Sequence, residues 1–241
     1  MYVVMICRGT PARDSQRRVA ISISPHSKAP IELYYKGKKV DGPISPSTDF
    51  HGYGDKIRRE IAWRIPKKSR GKDLRVLDVG TGFGSTVTFL AAKLPKAGSK
   101  LWSIDPSGEV IENAKVEFAK NKNAQRISVE FVQADAAKLG FEDDFFDAAI
   151  SVMVLHHIED LARVFSELSR VLRPGGKLII ADYQPSAGKE LEFQRRHEVS
   201  DFFRPEDVGR ILKENGFAKV SVKPLKLWYL VEATKGSAKV A

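Results

Sequence analysis

The chain has 241 residues, of which 42% are hydrophobic and 29% are charged, a composition typical of a globular protein with one substantial core. A single cysteine excludes an internal disulfide framework and a multi-cysteine zinc site, and it favours a reducing, cytoplasmic location. No apolar run approaches the roughly 20 residues that span a bilayer, so the sequence predicts a soluble protein without a transmembrane segment.

The net charge of +10 is concentrated in the first third of the chain. Residues 1–72 contain 16 Lys and Arg against 6 Asp and Glu, whereas residues 73–241 contain 24 of each. Such a basic segment can contact phosphates or an acidic partner, or it can form a solvated arm, and both interpretations stay open. We expect a basic N-terminal extension over residues 1–53, with a possible small hairpin, and one domain over residues 54–241.

The elements upstream of residue 74 are few. Residues 1–28 show no firm periodicity, and "IELYYKGKKVDG" reads as a short strand, a Lys-Gly turn and a second short strand. The segment "KIRREIAWRI" predicts an amphipathic helix from about residue 55 to residue 65. Its predicted apolar positions are Ile57, Ile61, Trp63 and Ile65.

From residue 74 onward, short apolar runs alternate with helical patterns, as in a doubly wound α/β sheet. The predicted strands are "LRVLDV", "KLWSID", "ISVEFVQA", "FDAAISVM", "GKLIIADY", "FAKVSVK" and "LWYLVEA". The predicted helices are "GSTVTFLAAKL", "SGEVIENAKVEFAKN", "DLARVFSELSRVL" and "PEDVGRILKENG", with apolar residues spaced by three and four.

The last two predicted strands are joined by a very short connection, so they form a hairpin and run in opposite directions. The sequence therefore predicts a Rossmann-like, seven-stranded, mostly parallel sheet with an antiparallel C-terminal hairpin strand and helices on both faces.

A glycine-rich turn follows the first predicted strand of this sheet. Gly80, Gly82 and Gly84 have no Cβ atoms, so a ligand can lie against the backbone there. A dinucleotide site prefers Gly-x-Gly-x-x-Gly with a pyrophosphate at the helix N-terminus, but here the sixth position is Ser85. Asp78, just before the turn, would repel a pyrophosphate and attract a cation.

Two further carboxylates follow the next two predicted strands. Asp105 lies 21 residues after Gly84, where a carboxylate can accept hydrogen bonds from both hydroxyls of a ribose. Asp135 lies in "VQADAAKL", where it can bind an adenine amino group. S-adenosylmethionine combines a nucleoside with a sulfonium and an ammonium group, so we expect it to be the cofactor.

Residues 74 to about 235 resemble the class I S-adenosylmethionine-dependent methyltransferases, in particular the type 11 group with the ubiquinone and menaquinone biosynthesis enzymes. The resemblance is carried, in order, by "VLDVGTGFG", "IDPS", "QADAAKLGFEDDFFDAAISVMVLHHI" and "VLRPGGKLIIADY". It implies a methyltransferase with a set of cofactor-binding residues that hold the methionine part, the ribose and the adenine. These residues are Asp78, Gly80, Gly82 and Gly84 for the methionine part, Asp105 with Pro106 for the ribose, and Asp135 with Ala136 for the adenine.

A catalytic base is required only when the methyl acceptor carries a proton. In "SVMVLHHIED", His156 is the preferred candidate base, and His157 is a candidate substrate contact. The alternative is that "LHHI" caps the following helix and packs against the sheet. The chain lacks Asn/Asp-Pro-Pro-Tyr/Phe after the fourth strand, the motif of the family's amino-group methyltransferases that act on adenine or glutamine. It also lacks a Pro-Cys or Thr-Cys nucleophile, which argues against attack on carbon 5 of cytosine or uracil.

Substrate choice is expected to depend on segments added around the sheet. Tyr53, Tyr183 and Arg196 are further candidate substrate contacts, suited to a planar or acidic acceptor. The leading hypothesis is methyl transfer to a small molecule, such as a quinone-like or aromatic acceptor. The alternatives are an RNA or protein methyltransferase that binds its substrate through the basic N-terminal region, and a non-catalytic cofactor-binding protein.

Overall fold

The computed structural model describes residues 54–69, 73–184, 203–225 and 228–237, together with four short strands nearer the N-terminus. Strand β1 (Tyr2–Val3) pairs with β2 (Ile21–Ser22), and β3 (Leu33–Tyr35) pairs with β4 (Lys38–Val40), both antiparallel. The second pair confirms the predicted hairpin. The first was not predicted, because two-residue strands carry too little periodicity.

Two compact units divide the chain, residues 1–49 and residues 50–241. The division into an extension and a domain after residue 53 stays a prediction. Two of the candidate substrate contacts, Tyr53 and Arg196, lie outside the described residues.

The second unit contains a seven-stranded sheet with the order β10-β11-β9-β8-β5-β6-β7. The strands are β5 (Leu74–Val79), β6 (Ser99–Asp105), β7 (Ser128–Gln133), β8 (Phe146–Val152), β9 (Leu172–Tyr183), β10 (Phe217–Pro224) and β11 (Trp228–Lys235). Strand β11 is antiparallel to both neighbours, and β5 to β9 are mutually parallel. The predicted fold class is therefore confirmed.

Helices cover both faces of this sheet. They are α1 (Gly54–Arg64), α2 (Ser85–Lys93), α3 (Gly108–Ala119), α4 (Leu161–Val171) and α5 (Pro205–Glu214). Apolar side chains of α1 and α2 pack on one face, and those of α4 and α5 pack on the other. None of the helices in the described part of the chain is long and apolar enough to cross a bilayer.

Helix α1 corrects one prediction about its apolar face. Ile57, Ile61 and Ile65 are buried, but Trp63 is 79% exposed. Residues four apart share one face of a helix, whereas Trp63 follows Ile61 by about 200° of rotation. The buried face of α1 is completed instead by Arg58, which pairs with Asp55.

The strand order reverses beside β5, because β6 lies on one side of it and β8 on the other. In open α/β sheets, ligands bind at the carboxyl ends of the strands beside such a reversal. Strands β5 and β8 are almost completely buried, as expected of central strands covered on both faces. The carboxyl ends of β5, β6, β7, β8 and β9 therefore form the edge at which a functional site is expected.

Candidate functional site

The glycine turn after β5 combines three left-handed glycines with two close contacts. The φ angles of Gly80, Gly82 and Gly84 are +83°, +49° and +78°. A Cβ atom on Gly80 would clash with the side chain of Val154, and one on Gly84 would lie 3.3 Å from Ala114. A Cβ on Gly82 would meet nothing within 4 Å. The outer glycines therefore permit packing, and the middle one keeps an open backbone face.

Asp78 is buried beneath this turn. Its side chain is fully inaccessible, and its Oδ2 accepts a hydrogen bond from Ser103 Oγ at 2.7 Å. The Ser103 hydroxyl is also 2.7 Å from Thr81 Oγ1, within the turn. Burial raises the pKa of Asp78 from 3.8 to about 7; the Ser103 hydrogen bond opposes the rise and the Asp105 charge adds to it.

The second oxygen of this carboxylate is a candidate ligand contact. Asp78 Oδ1 is buried and accepts no hydrogen bond from any residue that the structure describes. Buried polar atoms are normally satisfied, so such an atom beside an open glycine turn is typical of a site whose partner is a bound molecule. An ammonium group, or a water bound to one, is the kind of donor that such an oxygen accepts, so the chemistry of the residues present suits the methionine part of S-adenosylmethionine.

Asp105 ends β6, and Asp135 lies two residues after the neighbouring strand β7, at the same edge. Asp105 is half-buried, and its two oxygens accept from Gly82 N at 3.2 Å and Ser107 N at 3.0 Å. Asp135 is exposed and its Oδ1 accepts from Ala137 N at 2.8 Å. Each oxygen that makes one such bond has a further lone pair for a hydroxyl or amine. The cofactor roles of these two residues, and of the exposed Pro106 and half-buried Ala136 beside them, stay predictions.

A second buried carboxylate lies across the edge, at the end of β9. Asp182 is 1% exposed, and its Oδ1 lies 2.7 Å from His156 Nδ1. Its Oδ2 accepts from the backbone N–H groups of Val154 at 3.0 Å and Leu155 at 2.7 Å. Tyr183 N also donates to Oδ1 at 2.7 Å. One carboxylate thus holds both the turn after β8 and the candidate base on it.

The histidine pair occupies a single 3-10 turn, residues 155–157. The rings of His156 and His157 lie 4.1 Å apart, and the Tyr183 ring meets His156 edge-on at 5.4 Å. The structure therefore brings these three predicted residues together. It also corrects the alternative of a helix cap, because Asp160 caps α4 through its bond from Arg163 N.

Asp182 was missed by the sequence predictions, although a signal for it was present. It is the second-last residue of "GKLIIADY", as Asp78 is of the strand before the glycine turn, so the rule that selected carboxylates near strand ends applies to it equally. Backbone strain marks the same place, since Met153, just after β8, has a φ angle of +58°. The residues that the structure describes contain no group of three or more side chains that could hold a metal ion.

Comparison with known proteins finds that this chain is similar to methyltransferases. Residues 77–180 match the model of a methyltransferase domain family. The chain is 30% identical over 159 residues to the ubiquinone/menaquinone biosynthesis C-methyltransferase of Geotalea daltonii, covering 64% of this chain and 66% of that relative. It is 28% identical to an O-methyltransferase of Penicillium expansum, covering 89% of this chain and 82% of the relative. The chain thus spans just under two thirds of the first relative's length.

A solved structure shares the fold. It is a phosphoethanolamine N-methyltransferase of Haemonchus contortus in complex with phosphomonomethylethanolamine and S-adenosylhomocysteine. The TM-score is 0.64 at 21% identity, and the match covers 77% of this chain and 53% of that one. At this identity the likeness extends to the fold alone.

Proposed function

This chain belongs to the class I S-adenosylmethionine-dependent methyltransferases of type 11, and we propose that it transfers a methyl group from S-adenosylmethionine to a small-molecule acceptor. The observation that carries the proposal is the buried Asp78 carboxylate, whose Oδ1 has no partner among the described residues beside the open glycine turn. A carboxylate there favours a cationic ligand and disfavours a phosphate.

The donor side of the site is built from three strand ends. Asp78 and the turn of Gly80, Gly82 and Gly84 would hold the methionine part, and Asp105 the ribose. Asp135, with Ala136, would hold the adenine. When bound, S-adenosylmethionine supplies a methyl carbon activated by the sulfonium, so that an acceptor's electron pair can replace the carbon–sulfur bond. The protein's task is then to hold the two reactants in line and exclude water.

The acceptor side is built from the turn after β8 and the end of β9. We assign His156 as general base, receiving on Nε2 the proton that the acceptor loses while the acceptor keeps the electron pair. His157 and Tyr183 are the proposed acceptor contacts nearest to it. An acceptor with a dissociable proton on oxygen or on an activated ring carbon suits this arrangement, and the C- and O-methyltransferases among the relatives support that class.

Donor binding is tested by calorimetry with S-adenosylmethionine and S-adenosylhomocysteine. The wild type should bind both, and Asp105→Ala should weaken both by about tenfold to a hundredfold, because charge-assisted bonds to the ribose are lost. Glu112→Gln, which changes an exposed carboxylate paired with Lys115, is the matched control and should bind normally. No binding by the wild type at millimolar donor would refute the proposal.

The acceptor class is tested by incubating the full chain with donor labelled in the methyl group and a fractionated cell extract. Label in the small-molecule fraction is expected. Label only in RNA or protein would favour a macromolecular substrate that contacts the basic N-terminal region, and such binding should weaken steeply with salt. Intact donor binding with no label anywhere would favour a cofactor-binding protein without catalysis.

A further inference from the structure

We propose that Asp182 is a positioning residue, which fixes His156 as the Nδ1–H tautomer and locks the turn after β8 against the glycine turn. The inference rests on the proposed function only in taking His156 to be the general base of methyl transfer. The tautomer and the locked turn themselves are properties of the protein without ligand.

The hydrogen bonds around Asp182 use its full acceptor capacity. An ionised carboxylate has about four lone-pair positions and no proton to donate. Asp182 receives three backbone N–H groups, from Val154, Leu155 and Tyr183, and the Nδ1 contact from His156. A backbone N–H can only donate, so Oδ1, which receives Tyr183 N, and Oδ2, which receives the other two, both act as acceptors.

The state of the histidine follows from the state of the carboxylate. Two acceptors cannot form a hydrogen bond, so a carboxylate 2.7 Å from Nδ1 requires the proton on Nδ1. In the neutral ring, Nε2 is then the basic nitrogen. A general base must present a lone pair at a defined place, and Asp182 determines which nitrogen carries it.

The same carboxylate couples His156 to the donor side. It holds the N–H of Val154, and the Val154 side chain fills the space where a Cβ of Gly80 would lie. One residue before Asp182, the carbonyl oxygen of Ala181 accepts a hydrogen bond from the backbone N–H of the strained Met153, at 2.8 Å. The last residues of β9 therefore fix the turn at its beginning and along its length.

The test is nitrogen NMR of the full chain labelled with [15N]histidine, at a pH where the imidazoles are neutral. The chain has five histidines, and the signals absent from His156→Gln identify those of His156. In the wild type, His156 should show the Nδ1–H tautomer. In Asp182→Asn the amide oxygen is needed by the N–H groups of Val154 and Leu155 at the Oδ2 position, so the NH2 group takes the Oδ1 position and faces Nδ1. The ratio of tautomers should shift toward Nε2–H by about tenfold or more.

Asp147→Asn is the matched control, because Asp147 is another buried aspartate that accepts a backbone N–H, from Arg75, and bonds from Ser69 and Arg173. It should leave the His156 signals unchanged. A wild-type spectrum dominated by Nε2–H would overturn the proposal, even if Asp182→Asn does not fold. An unchanged tautomer in folded Asp182→Asn would overturn it as well. Calorimetry with S-adenosylhomocysteine on the same samples reports separately on the proposed function.

Discussion

Two buried carboxylates stand at the same edge of the sheet, and their surroundings differ sharply. Asp78, at the proposed donor side, accepts one hydrogen bond from a hydroxyl and has a second oxygen without a partner among the described residues. Asp182, at the proposed acceptor side, is equally buried and receives three backbone N–H groups and a histidine. The described residues therefore leave one oxygen of Asp78 without a donor, whereas they supply donors to both oxygens of Asp182.

The difference shows that burial alone does not indicate what a strand-end carboxylate does. A carboxylate with too few donors has a raised pKa and gains from a cationic ligand, whereas one with a full set of donors organises the backbone around it. Removing the Asp78 side chain should therefore mainly weaken ligand binding, whereas removing the Asp182 side chain should mainly destabilise the fold.

The largest effect is expected from Asp182→Ala. Losing this carboxylate leaves buried N–H groups without acceptors, so the free energy of unfolding should fall by about 3–5 kcal/mol. Urea denaturation followed by circular dichroism measures the change. Asp78→Asn at pH 8 is the comparison, and it should lose far less. Equal losses in the two variants would contradict the distinction between the two carboxylates.

The next effect is the pH dependence of stability that Asp78 produces in the donor-free protein. Its pKa is 3.8 unfolded and about 7 folded, so between these values the folded state holds the extra proton. The free energy of unfolding should therefore fall as pH rises from about 4 to 7, by up to about 4 kcal/mol from this group, and level off above. Denaturation at several pH values tests this, and Asp78→Asn should lack this part of the decline.

Binding of S-adenosylmethionine should depend on whether the Asp78 carboxyl carries its proton. A cationic donor favours ionised Asp78, so below pH 7 binding releases a proton and affinity rises with pH, levelling off above about 7. Asp78→Asn should bind the donor about tenfold to a hundredfold more weakly, with little of this pH dependence left. Calorimetry at pH 6 in two buffers of different ionisation enthalpy counts the protons. Absence of proton release in the wild type would argue against contact between Asp78 and the cation.

The smallest effect is expected from substitutions in the glycine turn after β5. Gly82→Ala meets no steric obstacle, so it should cost only the left-handed conformation, about 1 kcal/mol of unfolding free energy. Gly80→Ala has a φ of +83° and would also press on Val154, so it should cost more and disturb the acceptor side. Thermal unfolding measures both variants, and equal costs would mean that Val154 yields easily.

The sheet and its helices were predictable because each depends on a period along the chain. Buried strands such as β5 and β8 show as apolar runs, and α4 shows as an apolar stripe that ends at proline and glycine. The error at Trp63 arose at a helix end, where one large apolar residue was counted with the buried face despite its angle. Hydrophobicity identifies residues suited to burial, and only the helical angle decides which are buried.

The residues proposed for the donor were selected from glycine spacing and strand-end carboxylates, which are visible in the sequence, and their roles stay predictions. The histidine pair and Tyr183 were also selected from the sequence, but Asp182, the carboxylate that contacts His156 and Tyr183, was not. The partnership of His156 with Asp182 joins residues 26 apart, through a turn whose strained Met153 has no sequence signature. The sequence also does not show whether both oxygens of a carboxylate have hydrogen-bond donors, because that depends on which N–H groups converge in three dimensions.

The reversed direction of β11 has a consequence for how such a protein can diversify. Because β11 runs against β9, its first residues lie beside the last residues of β9, with Trp228 opposite Tyr183 and Tyr229 opposite Asp182. The first residues of β11 thus lie next to the proposed acceptor contacts, whereas the glycine turn follows β5, on the far side of β8. Substitutions at the start of β11 therefore offer a route to new acceptors that leaves the proposed donor residues unchanged.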